Sequence, residues 1–108
     1  MAILREWRAE IRRPLRDEYV EYVRKTGFRE YQSTPGNLFA LISTRDLDDE
    51  RSEVVTVSGW DSWEAIKAFA GAEPQVAKYF PEDDRYLLTK PAHVLHYELR
   101  AFTGLVHR

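Results

Sequence analysis

The sequence predicts an α+β domain of order βαββαβ, with a four-stranded antiparallel sheet carrying two helices on one face. Three observations predict it. The N-terminal segment alternates apolar and charged residues with period two, two strand-like runs flank a charged loop in the middle of the chain, and two amphipathic stripes of helical period stand between strands.

The elements follow in order. From Ala2 to Ile11, Ile3, Arg5, Trp7 and Ala9 share one face, while Leu4, Glu6, Arg8 and Glu10 take the other. Pro14 stands where a first-turn proline belongs. Leu15, Tyr19, Tyr22 and Val23 make a helical stripe, and Gly27 is the expected stop. Thr34-Pro35-Gly36-Asn37 is a turn signal ending the stretch that starts at Phe28. Leu38–Thr44 and the β-branched Glu53–Ser58 form a hairpin around the charged loop Arg45–Ser52. Asp61 with Glu64 resembles a capping box for a helix running to Ala70, whose stripe is Trp63, Ile66, Phe69 and Ala70, with Gly71 as its stop. Pro74–Tyr79 is expected to add a short helix, Pro81–Asp84 a turn, and Ala92–Arg100 the fourth strand. This is the split-βαβ arrangement of ferredoxin-like folds. Residues 1–100 are the domain and 101–108 a tail. With both helices on one sheet face, the other face, to which Phe39, Leu41 and Val54 are assigned, needs a cover. A second copy of the same sheet supplies it, so a homodimer is expected.

Composition narrows the function. At 108 residues, 44% hydrophobic and 31% charged, the chain suits one globular domain. The absence of cysteine removes disulfides, thiolate metal sites and cysteine nucleophiles. No apolar run approaches the roughly 20 residues of a membrane span, and charges at Arg5, Glu6, Arg8 and Glu10 interrupt any signal-peptide core. A cytoplasmic protein without a membrane partner is expected. Net charge is −2, and the Arg12, Arg13, Arg16 cluster is answered at once by Asp17, Glu18 and Glu21, so no nucleic-acid partner is expected either. Aromatic content of 13% exceeds what a small core needs, and the surplus suits an interface or a ligand pocket.

Several segments resemble the antibiotic-biosynthesis monooxygenase-like family, a branch of the dimeric α/β barrel superfamily. They are Arg5-Glu6-Trp7-Arg8, Tyr31 with Thr34-Pro35-Gly36-Asn37, Val55 through Ser62 leading into Glu64-Ala65-Ile66, and His96-Tyr97-Glu98. The resemblance spans roughly residues 2 to 99. It implies a homodimeric barrel with a pocket between sheet and helices in each subunit. Known members include cofactor-free oxygenases of polycyclic phenols and haem-degrading oxygenases. The haem degraders carry an asparagine, a tryptophan and a histidine ligand where this chain has Trp7, Phe69 and Tyr79. All three depart, although a tyrosine can ligate haem iron.

Candidate residues follow from the patterning and the resemblance together. His96 in the last strand is a candidate general base toward a phenol, or a buried histidine bonded to a carbonyl or to Glu98. His93 falls on the opposite face of an ideal strand, which removes a shared metal site; none is expected. Arg5 among core positions needs an explanation: pairing with an acid such as Glu98, or holding a ligand oxyanion. Tyr79 is a second candidate for proton handling, while Trp7, Tyr22 and Phe69 are candidate ring-binding residues. Trp60 and Trp63 read as core, His107 as solvated tail. The acidic loop around Asp46, Asp48, Asp49 and Glu50 lacks calcium-loop spacing. Three readings stay open. One is a cofactor-free monooxygenase binding a phenolic or polycyclic aromatic compound. The others are a non-catalytic binding or assembly domain, and a haem-binding protein without the degrading residues.

Overall fold

The computed structural model of the chain describes residues 1–103; His107 and most of the expected tail lie outside the described residues. Four strands, β1 (Ile3–Arg12), β2 (Asn37–Asp46), β3 (Arg51–Trp60) and β4 (Leu95–Glu98), form one antiparallel sheet in the order β2-β3-β1-β4. That order is the split-βαβ one, with β1 central. Helices α1 (Arg16–Lys25), α2 (Gly27–Ser33) and α3 (Trp63–Ala70) accompany it, with short 3-10 helices at Arg13–Leu15 and Pro81–Arg85. No helix among the described residues is long and apolar enough to cross a membrane.

Register explains which side chains meet. Arg5 pairs with Ser58 on one side and His96 on the other, and Trp7 pairs with Thr56. Directly opposed residues share a face, so these five point to the helix side together with Ile3, Ala9 and Ile11. Two buried clusters anchor that side. Ile3, Trp60, Ala65 and Ile66 pack at one end of the sheet, and Ala9, Ile11, Tyr19, Val54, Tyr86 and Leu87 at the other. Val54 is therefore core, a correction to its assignment to the outer face: opposite Ala9, its parity sends it inward. The outer face instead carries Phe39, Leu41, Val57, Leu4, Leu95 and Tyr97. Gly59 on that face has no room for a side chain, because its Cβ would run into the Phe39 ring, and Phe102 packs against Phe39 at 5.3 Å between centroids.

Four local expectations need correcting. The first helix ends at Thr26 rather than Gly27: the Thr26 hydroxyl donates to the Tyr22 carbonyl at 2.7 Å, and the chain kinks and resumes as α2, which the sequence reading left without an element. Ser62, not Asp61, caps α3, its hydroxyl accepting from the Ala65 amide at 3.1 Å, because β3 runs on to Trp60. Pro74–Tyr79 forms no helix; Val76 bridges His93, and the Ala77 and Val94 amides donate to the Ala92 and Gln75 carbonyls. Residues 92–94 are engaged in that pairing, so β4 is shorter than the expected strand.

Candidate functional site

Between the two buried clusters the helix-side face is polar: Arg5, Thr56 and Ser58 replace the aliphatic residues on either side. A cavity of about 110 Å³ opens there. The sheet supplies Arg5, Trp7, Thr56 and Ser58, α1 supplies Tyr19, Tyr22 and Val23, α2 supplies Glu30 and Tyr31, α3 supplies Phe69, and the segment before β4 supplies Lys78, Tyr79, Phe80 and Asp83. The enclosure is mainly aromatic.

Arg5 is its most consequential charge. The residue is only 6% exposed, and among the described residues no carboxylate lies within ion-pair distance, Glu98 pairing with Arg100 instead. A buried cation without a counter-charge is costly. Arg5 offsets part of that cost by donating from Nη1 to the Pro74 carbonyl and to His96 Nε2, the latter at 3.0 Å, and by lying over the Phe69 ring at 5.9 Å. Both hydrogen bonds use Nη1. Nε and Nη2 are left without protein partners among the described residues, yet no buried side-chain nitrogen is unsatisfied, so these donors keep access to open space. Burial lowers the Arg5 pKa, with Tyr31 opposing, and the guanidinium remains a cation.

Of the residues singled out in the sequence, Arg5, Trp7, Tyr22, Phe69 and Tyr79 all line the cavity. His96 does not; it stands behind Arg5, against Trp63 at 4.9 Å. Burial and the Arg5 charge lower its pKa to about 4, so at neutral pH it is an uncharged ring accepting a bond from Arg5, which places the proton on Nδ1. Tyr79 is held on both sides, accepting from Trp7 Nε1 at 3.0 Å and donating to the Pro91 carbonyl at 2.7 Å. Its pKa is raised, mainly by burial.

Of the lining residues that the sequence reading did not single out as site residues, Tyr31 and Asp83 bear most on the chemistry. Tyr31 comes from α2, stacks on Phe69 at 4.7 Å and meets Trp60 edge-on at 6.1 Å. Burial raises its pKa, while Arg5 and the hydroxyls of Thr56 and Ser58 pull it down. The Phe28–Tyr31 spacing, an aromatic pair three apart that packs at 5.8 Å, was the available signal for a helix there. Asp83, 6% exposed, accepts from the Phe80 amide at 2.7 Å. Its pKa is raised by burial first, with Phe80 and Lys90 opposing. In an acidic turn it resembles any solvated carboxylate, and no local signal marks it. No cluster of metal-ligating side chains exists among the described residues.

The fold and the cavity together define a split-βαβ domain with a ligand-sized, aromatic-walled site around a buried arginine. Among solved structures, the chain is similar over its whole length to one described as a "putative antibiotic biosynthesis monooxygenase" from Bacillus cereus, with 100% of both chains covered, a TM-score of 0.62 and 17% identity. At that identity the likeness is one of fold, and it is the fold the sequence resemblance implied. No protein-family model and no curated protein matches the chain.

Proposed function

We propose that this protein binds a single-ring phenolic compound in the Arg5 cavity and acts on it as a cofactor-independent monooxygenase. The observation that carries the reading is a buried guanidinium with free donors and, among the described residues, no carboxylate paired with it, set in the wall of an aromatic cavity. Such a group favours an oxyanion. Arg5 already pulls down the pKa of the neighbouring Tyr31 phenol, and it would do the same to a bound phenol. The phenolate is the electron-rich form that reacts with dioxygen. For a phenol unsubstituted at the position beside its hydroxyl, the balanced outcome is phenol plus O2 giving ortho-quinone plus water. In this reading Trp7, Phe69 and Tyr31 hold the ring, His96 keeps Arg5 in place, and Tyr79 orients Trp7.

Size selects among the alternatives. A closed cavity of about 150 Å³ holds benzene, so the space of about 110 Å³ in this partly open cavity is of single-ring scale and favours one ring over a polycyclic system or a porphyrin. A domain serving only assembly would have a close-packed interior without convergent polar groups, which is the opposite of what surrounds Arg5.

A thermal-shift series of substituted phenols, followed by oxygen uptake with any that bind, tests the reading. A ligand at a hundredfold over its dissociation constant adds about 2.7 kcal/mol of stability. A phenol that stabilises the protein and drives oxygen uptake, both lost in Arg5→Gln, supports it. Binding without oxygen uptake would leave a binding protein and remove the enzyme.

The same reading includes a homodimer through the outer sheet face. Leu95 and Tyr97 there are 54% and 49% exposed, beside the partly covered Leu4, Leu41 and Val57. Light scattering on the purified chain is expected to give twice the chain mass, and Leu95→Lys to lower it. A monomeric parent protein would remove the dimer.

A further inference from the structure

Among the charged residues that line the cavity, two are buried, Arg5 and Asp83, whereas Glu30 and Lys78 are more exposed. Around Arg5 stand Tyr31, Thr56 and Ser58, the groups whose charges and hydroxyls act on one another. Around Asp83 stand Tyr19, Tyr22 and Tyr79, each of whose hydroxyls is held in its protonated form partly by the Asp83 charge. Arg5 and Asp83 are not partners of each other, by ion pair or hydrogen bond. Trp7, one inward position along β1 from Arg5 and bonded to Tyr79, adjoins both groups. A ring lying along Trp7 would sit in a cavity whose wall carries both a cation and a carboxylate that are not bonded to each other.

Asp83 is buried further than its capping role requires. One oxygen, Oδ2, takes the Phe80 amide, and the Tyr22 hydroxyl is the other neighbouring donor. A carboxylate offers about four lone-pair sites, so acceptor capacity remains on a group that lines the cavity. The nearby charges are Lys90, which is tied to Asp84 at 2.8 Å, and the like charges of Glu82 and Asp84. Among the described residues, no cation is bonded to Asp83 itself.

We propose that Asp83 is the second polar anchor of the cavity, selecting ligands whose single aromatic ring carries an anionic oxygen at one end, for Arg5, and a neutral hydroxyl at the opposite end, for the Asp83 carboxylate. The inference rests on the ligand-binding part of the function proposed above and deepens it. It names a para-oxygenated ring as the ligand class, and it makes Asp83 the group that sets the ring's orientation.

The test measures dissociation constants of benzoate, 4-hydroxybenzoate and 4-methoxybenzoate by tryptophan fluorescence at pH 8, on the parent protein and on Asp83→Asn. The amide in this variant can still accept from the Phe80 amide, so the cap is retained while the charge goes. A hydrogen bond to a charged group predicts that 4-hydroxybenzoate binds at least about tenfold more tightly than benzoate. The methoxy compound, which has no proton to donate, gains nothing. In Asp83→Asn the preference is expected to shrink to about twofold or less by the same scale, with the benzoate constant unchanged. A purely structural Asp83 would move stability and leave that ratio alone. Benzoate binding without preference for the hydroxyl, or with a preference that survives Asp83→Asn, overturns this inference and leaves the Arg5 site standing. A methoxy compound as tight as the hydroxy one overturns it without any variant. Failure of all three compounds to bind overturns both this inference and the ligand reading beneath it.

Discussion

Two groups of arginines show what the fold does with positive charge. At the hairpin end of the sheet, Asp46 receives Arg16 at 2.7 Å and Arg13 at 3.4 Å, Glu53 receives Arg45 at 2.9 Å and Arg8 at 3.0 Å, and Arg51 reaches both Asp48 and Glu10. These side chains keep contact with water, and each has a carboxylate. Arg5 is on the same central strand as Arg8, is nearly without exposure, and has none. Water screens the first group and makes its pairing cheap and weak; burial makes the Arg5 charge expensive and any counter-charge strongly held. The contrast separates charge that serves solubility and hairpin register from charge kept ready for something outside the chain.

Removing the Arg5 charge tests that contrast most severely. Arg5→Gln keeps a donor but abolishes the cation, and affinity for benzoate is expected to fall by about 10- to 100-fold, or ~1.5–3 kcal/mol. Isothermal calorimetry at low and high salt reads this directly. Because the site is shielded, raising the salt should weaken benzoate binding to the parent protein far less than surface pairing would suggest. Unchanged affinity in Arg5→Gln would erase the distinction between the two groups of arginines.

A middle-sized effect comes through His96, which the Arg5 charge helps keep neutral. Its pKa in the folded protein is about 4, below the ordinary 6.5. Between those values the unfolded chain binds more protons than the folded one, so stability falls as pH falls from about 6.5 toward 4 and is complete above that window. Urea unfolding at a series of pH values should show this acid loss, and His96→Gln, which still accepts from Arg5, should flatten it. An identical acid limb in the variant would mean that the loss belongs to the carboxylates.

How far this was legible in the sequence depends on whether a feature is local. The strict alternation of β1 put Ile3, Arg5, Trp7 and Ala9 on one face, and from that alone the arginine stood out as a charge in core territory. The aromatic lining was readable for the same reason, since Tyr22 and Phe69 fall on helix stripes facing that strand. Tyr31 and Asp83 were not. Tyr31 depends on α2, which exists because the Thr26 side chain closes α1 one residue before the glycine that looked like a stop. Asp83 meets the tyrosines of α1, contacts about 60 residues apart in sequence that no window around Pro81–Asp84 contains. The face of His96 follows only from its register opposite Arg5, and the pairing of Val76 with His93 replaced a helix that short-range propensity favoured.

The smallest effect is at the hairpin, and its smallness is the point. Asp46 accepts from Arg16 and from the Ser52 hydroxyl, both at 2.7 Å, and these bonds with the Arg13 charge hold its pKa below the usual carboxylate range. Geometry this good invites the expectation of a large contribution. Its solvent contact argues otherwise, because water competes for each partner and salt screens what remains. Asp46→Asn, which keeps an acceptor and removes the charge, is expected to give a slight loss of stability in low salt that shrinks further near 1 M salt, where screening acts within about 3 Å. Denaturant midpoints at the two salt concentrations measure it. A loss that persists undiminished at high salt would mean that the hairpin charges behave as buried ones, and that the difference between the Asp46 cluster and Arg5 lies in the presence of a partner alone.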